Sequence, residues 1–135
     1  MSSENTLQIQ LLTFGYKRGA PDNVALVMDV RFLNNPFYMP ELEPMSGLDA
    51  PVAEFIAGLP ETDAVFEPWQ AWLLPWLTAF AQKGQRSLTL AIGCTGGKHR
   101  SVYWAERTAN WLKDVDTIAA LPVRVTLTHR DQAFW

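Results

Sequence analysis

Leu7, Ile9 and Leu11 alternate with Gln8 and Gln10 before the chain turns densely apolar up to Phe14. That period of two predicts a first strand over 7–14. The following segment, 15–23, holds two glycines and a proline and reads as a loop. Val24 to Val30 forms a second apolar run, with Asp29 and Arg31 at its C-terminal end. Between 32 and 49, Pro36, Pro40 and Pro44 break any period, and an ordered loop of that length is more often functional than a plain connector. Pro51 to Ala57 fits a short helix with Asp49 or Ala50 near its cap. A longer helical pattern runs from about Ala64 to Lys83, with Thr62 or Asp63 as its cap. Pro75 inside it predicts a kink or a break. Ser87 to Ile92 reads as a third strand, Arg100 to Lys113 as a helix and Leu121 to Leu127 as a fourth strand. Strands alternating with helices predict the α/β class, as a three-layer-like sandwich whose mainly parallel sheet of about four strands has helices packed on it. Ligands of such sheets sit beyond the carboxyl ends of the strands. Asp29, Arg31 and the segment after the third strand all fall there, so one crevice can hold them.

The segment Cys94-Thr95-Gly96-Gly97-Lys98-His99-Arg100-Ser101 carries the densest candidate chemistry. A strand that passes through a glycine loop into a helix N-terminus gathers backbone N–H groups and a partial positive charge at one point. Gly96 and Gly97 permit close approach of the backbone, and Arg100 can clamp a phosphate with two parallel hydrogen bonds. All eight residues are candidate phosphate contacts. The pattern also fits Cys-x5-Arg-Ser, in which Cys94 is a nucleophile whose thiolate the helix start favours. Catalysis of that kind usually has His before the cysteine, where this chain has Gly93, and needs an acid, for which Asp63 and Glu67 are candidates. The bland alternative is a glycine turn with Lys98 and Arg100 in solvent. Asp29 and Arg31 are equally an ordinary strand-end ion pair. Trp69, Trp72 and Trp76 share a helical spacing that belongs to core more often than to a stacking platform. His129 and Arg130 lie in solvent unless the last strand carries them to the crevice. Two histidines 30 positions apart and one cysteine form no metal-ligand spacing, and no metal or cofactor is expected.

The 135 residues are 48% hydrophobic and 19% charged, which suits one globular domain over 7–135 behind a flexible polar segment 1–6. No apolar run approaches the ~20 residues of a membrane span, and the N-terminus lacks the pattern of a signal peptide. With a single cysteine and no internal disulfide, the expected compartment is the cytoplasm. The net charge of −3 argues against a broad nucleic-acid surface.

Five ordered blocks resemble the C-terminal domain of the RapZ-type RNase adapter family. They are Phe14-Gly15-Tyr16-Lys17 with Gly19 and Pro21; Asp29 to Leu33 with Asn35-Pro36; Pro44 to Asp49 with Pro51-Val52-Ala53; Ala91 to Tyr103 with Ala105-Glu106; and His129-Arg130. The resemblance implies a domain that senses glucosamine-6-phosphate, binds regulatory small RNA and presents it to an RNase. It places Asp29 and Arg31 at the sugar, and Cys94 through Arg100 at the phosphate. It also implies a homo-oligomer and a separate nucleotide-binding or RNase partner. Full-length members carry a P-loop domain; no Gly-x4-Gly-Lys-Ser/Thr occurs here, so the chain resembles a stand-alone C-terminal domain. It departs from the family at Phe37, where His follows Asn-Pro, at Glu43, where a basic residue is usual, and in lacking a basic tail. The last departure weighs against RNA. A phosphosugar sensor or adapter is the leading expectation, with a Cys94 phosphatase and an RNA adapter as alternatives.

Overall fold

The computed structural model describes residues 5–135, so residues 1–4 of the segment expected to be flexible lie outside it. Five strands form one sheet: β1 (Leu7–Gly15), β2 (Leu26–Asp29), β3 (Ser87–Cys94), β4 (Thr117–Ile118) and β5 (Leu121–His129). Their order is β2-β3-β1-β5-β4. The first four positions run parallel, and only β4 is antiparallel, paired to β5 through a tight turn. Ala119 and Ala120 make that turn, with φ of 53° and 64°. The expected α/β class and mainly parallel sheet are present, with β4 added as a fifth strand.

The helices are α1 (Ala50–Ala57), α2 (Pro60–Gln82) and α3 (Arg100–Lys113). α1 and α2 connect β2 to β3, and α3 connects β3 to β5. Both crossovers step the same way across the sheet, so right-handed connections put all three helices on one face. Burial follows that geometry. Leu7, Ile9, Leu11, Leu88, Leu90 and Ile92 are buried under the helices, around a fully buried Trp104. Gln8, Gln10 and Thr89 alternate with them on the other face, where Thr89 Oγ1 donates to Gln10 Oε1 at 2.8 Å. Among the described residues that face carries no helix, so the layering is helices over sheet in two layers rather than three.

α2 begins four residues before the expected start. Thr62 does not cap it; its hydroxyl donates to the Ile56 carbonyl and closes the corner with α1. The helix does not break at Pro75, nor at Pro68. Both prolines are exposed, and the carbonyls they leave unpaired belong to exposed Ala64 and Ala71, which water can satisfy. Phe66, Trp69, Leu73 and Leu77 hold the other side in the core. Trp72 is outside it, half exposed and stacked on Trp76 at 5.5 Å between centroids.

Candidate functional site

Cys94 ends β3 and Arg100 starts α3, so residues 95–99 form the loop at the carboxyl edge of the sheet. The loop lies against the end of β1 at an approach only glycine allows. A Cβ on Gly15 would sit 2.6 Å from the Gly96 carbonyl carbon, and one on Gly97 would sit 2.6 Å from the Gly15 nitrogen. Gly97 also has φ of 71°.

Four loop carbonyls are held from outside. Thr95 O accepts from Lys17 N at 3.2 Å and Lys98 O from Gly47 N at 2.9 Å. Gly97 O accepts from the Trp135 indole N–H at 3.0 Å, and His99 O from Tyr103 N at 3.0 Å. In a planar trans peptide the next N–H points away from the carbonyl. With these carbonyls anchored, each following amide, on Gly96, Lys98, His99 and Arg100, points away from its neighbour's anchor, and none has an acceptor among the described residues. Amides left without an acceptor at a helix start are donors of the kind an anion accepts from.

Arg100 is 5% exposed. Its Nη1 donates to Arg31 O at 3.1 Å and Leu33 O at 3.0 Å, and Nη2 reaches Thr95 Oγ1 at 3.5 Å. Its Nε has no partner among the described residues. A buried guanidinium held only by neutral oxygens is electrostatically incomplete, and an anion is its natural complement. Cys94 is buried beside it; Ser101 N donates to Sγ at 3.4 Å, and Sγ lies 3.2 Å from Ser101 Oγ. Lys98 Nζ donates to Glu43 O at 2.9 Å, with Glu43 Oε2 3.9 Å away. His99 Nε2 is 3.3 Å from the same Glu43 carbonyl. Burial pushes the His99 imidazole below its ordinary value, which favours the neutral ring.

A cavity of about 340 Å³ opens onto this loop. Cys94, Thr95, Gly96, Lys98, His99 and Arg100 line it, while Gly97 and Ser101 stand behind. Sequence reasoning did not assign the rest of the wall. Lys17 and Arg18 come from the turn after β1, where the rule of strand carboxyl ends applies as well as it does to β2. Phe37 and Tyr38 come from a short turn set by Asn35 Oδ1, which accepts from Phe37 N at 3.0 Å. Phe134 and Trp135 come from the C-terminal turn, and no local pattern announces them.

Asp29 and Arg31 do not line the cavity. They alternate with buried Val30 and point to the helix-free face. There they pair with each other at 2.7 Å, with the Arg31 guanidinium 3.8 Å over the Tyr16 ring. Hydrogen bonds from Arg31 hold the Asp29 carboxyl below its ordinary value. Arg31 serves the site through its carbonyl, which receives Arg100. Of the candidate acids, Asp63 pairs with Arg107 at 2.6 Å and Glu67 is exposed on α2; neither lines the cavity. His129 is not in solvent: Thr13 Oγ1 lies 2.9 Å from its Nδ1 and Glu106 Oε2 2.9 Å from its Nε2. Arg130 pairs with buried Asp131 at 2.8 Å. Among the described residues no group of three His, Cys, Asp or Glu could hold a metal, and no helix is long and apolar enough to cross a membrane.

A family model described as the RapZ C-terminal domain matches residues 7–133. A protein named nucleotide-binding protein from Pseudomonas fluorescens strain Pf-5 is 50% identical over 101 residues, 75% of this chain and 35% of that protein. One of the same name from Lactiplantibacillus plantarum is 41% identical over 128 residues, 95% of this chain and 41% of that protein. Another from Rhodospirillum centenum is 44% identical over 114 residues, covering 84% and 34%. The chain spans about a third to two fifths of the length of these curated relatives. With all but the ends of the chain matched by the family model, the protein belongs to the RapZ C-terminal domain family.

Proposed function

We propose that this domain binds a small phosphorylated metabolite in the cavity at the carboxyl edge of the sheet and acts as a cytoplasmic sensor or adapter. The observation that carries the reading is the buried Arg100 guanidinium, which among the described residues has no carboxylate hydrogen-bonded to it and an unpartnered Nε. The amides of Gly96, Lys98, His99 and Arg100 supply the remaining donors for a phosphate. Family resemblance favours an amino-sugar phosphate such as glucosamine-6-phosphate. A volume of about 340 Å³ is at the small end of ligand sites, which suits a monosaccharide phosphate. Asp29 enters this reading through its charge, close enough to Arg100 to feel it, and Arg31 through its carbonyl. The relatives' name refers to nucleotides; no Gly-x4-Gly-Lys-Ser/Thr occurs in these 135 residues, so nucleotides serve as competitors in the test.

A thermal-shift comparison of glucosamine-6-phosphate, glucosamine, ATP and inorganic phosphate tests the reading, with Arg100→Lys beside the wild type. A specific ligand at 100 times its dissociation constant stabilises by about 2.7 kcal/mol. Arg100→Lys keeps the charge and loses the fork, so its response should fall sharply. No stabilisation by any phosphate compound contradicts the reading. A cysteine-dependent phosphatase is the second reading, drawn from the Ser101 contacts at Cys94 Sγ. Aryl phosphate turnover that vanishes in Cys94→Ser would put it first. An RNA adapter role, with an RNase or nucleotide-binding partner and a homo-oligomer, rests on the family alone; its mark is RNA binding that weakens steeply with salt.

A further inference from the structure

The C-terminal turn is pinned to the phosphate loop at two points. Asp131 is buried, and its Oδ2 accepts from Gly15 N at 2.7 Å, at the same glycine that abuts Gly96 and Gly97. Four residues on, the Trp135 indole N–H donates to Gly97 O at 3.0 Å. That bond uses only one edge of the ring. His129 lies 5.6 Å away, tilted by 47°, and Trp135 still lines the cavity. Its neighbour Phe134 also lines the cavity and carries the Arg18 guanidinium 3.9 Å over its ring. The other aromatic lining residues, Phe37 and Tyr38, are 55% and 78% exposed, whereas Trp135 is fixed by its own hydrogen bond. A pre-ordered aromatic surface beside a polar anchor binds a ring at low entropic cost.

We propose that Trp135 is the specificity-determining wall of this cavity: it stacks on the ring of a cyclic phosphomonoester whose phosphate lies in the loop. Inorganic phosphate, which has no ring, gains nothing from it. The same residue positions the loop, because holding Gly97 O aims the Lys98 amide into the cradle. The proposal rests on the phosphate-cradle reading, and the experiment separates the two. Trp135→Phe keeps a ring and loses the indole N–H, whereas Trp135→Leu loses both.

Affinities of glucosamine-6-phosphate and inorganic phosphate are measured by calorimetry for the wild type and both variants. Loss of the indole N–H should weaken both ligands together, by a few-fold. Between the Phe and Leu variants, the sugar phosphate should lose a further roughly two- to twelvefold, the affinity equivalent of a ring-face contact. Inorganic phosphate should differ by less than twofold between them. A second readout uses 5-fluorotryptophan, which labels all six tryptophans; the resonance missing in Trp135→Phe belongs to Trp135. It should move with glucosamine-6-phosphate and stay nearly still with inorganic phosphate, and this holds the test open if Trp135→Leu fails to fold. Equal sugar-phosphate affinity in the two variants, parallel losses for both ligands from Phe to Leu, or a fluorine resonance equally sensitive to both ligands overturns the role of Trp135 and leaves the cradle standing. Failure of both ligands to bind the wild type overturns both.

Discussion

Replacing Gly15 by alanine tests the contact that sets the shape of the loop. Gly15 has φ of −103° and ψ of 129°, an extended conformation any residue adopts, so alanine carries no backbone penalty there. The whole effect is steric. The new Cβ would lie 2.6 Å from Gly96 C, 2.7 Å from Gly96 O and 2.9 Å from Gly97 N, where ordinary contact begins at 3.4 Å. All three are backbone atoms, so the loop must retreat from β1 by about 0.8 Å. Overpacking of this kind costs about 1–3 kcal/mol. At this chain length that is roughly 4 °C in Tm per kcal/mol. The control is Gly84→Ala. Gly84 follows α2 with φ of 96° and has open space where its Cβ would be, so its cost is the left-handed backbone, about 1 kcal/mol. Urea unfolding should register both losses with unchanged m-values. Phosphate and glucosamine-6-phosphate affinity should fall at least tenfold in Gly15→Ala and hold within twofold in Gly84→Ala. Wild-type affinity in Gly15→Ala, at whatever stability, would refute the claim that this approach shapes the cradle.

Three further variants follow from local chemistry. The turn between β4 and β5 holds Ala119 and Ala120 at positive φ, so Ala119→Asn with Ala120→Gly should stabilise by about 1–2 kcal/mol in urea unfolding and leave ligand affinity unchanged. Burial holds the His99 imidazole below its ordinary value, so the unfolded chain takes up a proton near pH 6.5 that the folded one refuses. Stability should therefore fall as pH drops through about 6.5, and His99→Gln should flatten that slope. Burial raises the Asp131 carboxyl, but hydrogen bonds from Arg130 and Gly15 N outweigh it and leave the group below its ordinary value. Its contribution is present above about pH 4 and lost as pH falls further, so an Asp131→Asn protein should approach wild-type stability in acid and fall below it at neutral pH.

The parallel strands and the glycine loop are legible because each is specified locally. Apolar residues at alternate positions mark β1, β3 and β5, and Gly96-Gly97 followed by a helical pattern marks the turn into α3. β4 is hidden because Ala-Ala stands where a two-residue hairpin turn usually carries Asn-Gly or Asp-Gly. The helix-free face has its sign in the alternation of Gln8 and Gln10 on β1 and of Arg124, Thr126 and Thr128 on β5, polar positions that helices on both faces would bury. Strand parity likewise separates Asp29 and Arg31 from the cavity, since both alternate with buried Val30. The remaining site contacts are long-range. Arg100 meets the Arg31 carbonyl across 69 residues, and Trp135 meets Gly97 across 38. No spacing in the chain encodes either bond; it arises only when the sheet brings its strand ends together.

Amide NMR during a glucosamine-6-phosphate titration reads, residue by residue, where a phosphate is held. The predicted result is a saturable downfield shift of the Gly96, Lys98, His99 and Arg100 amide protons, with the Arg100 Nε proton moving alongside them. Saturable binding that leaves those five protons unmoved while shifting resonances elsewhere would contradict it.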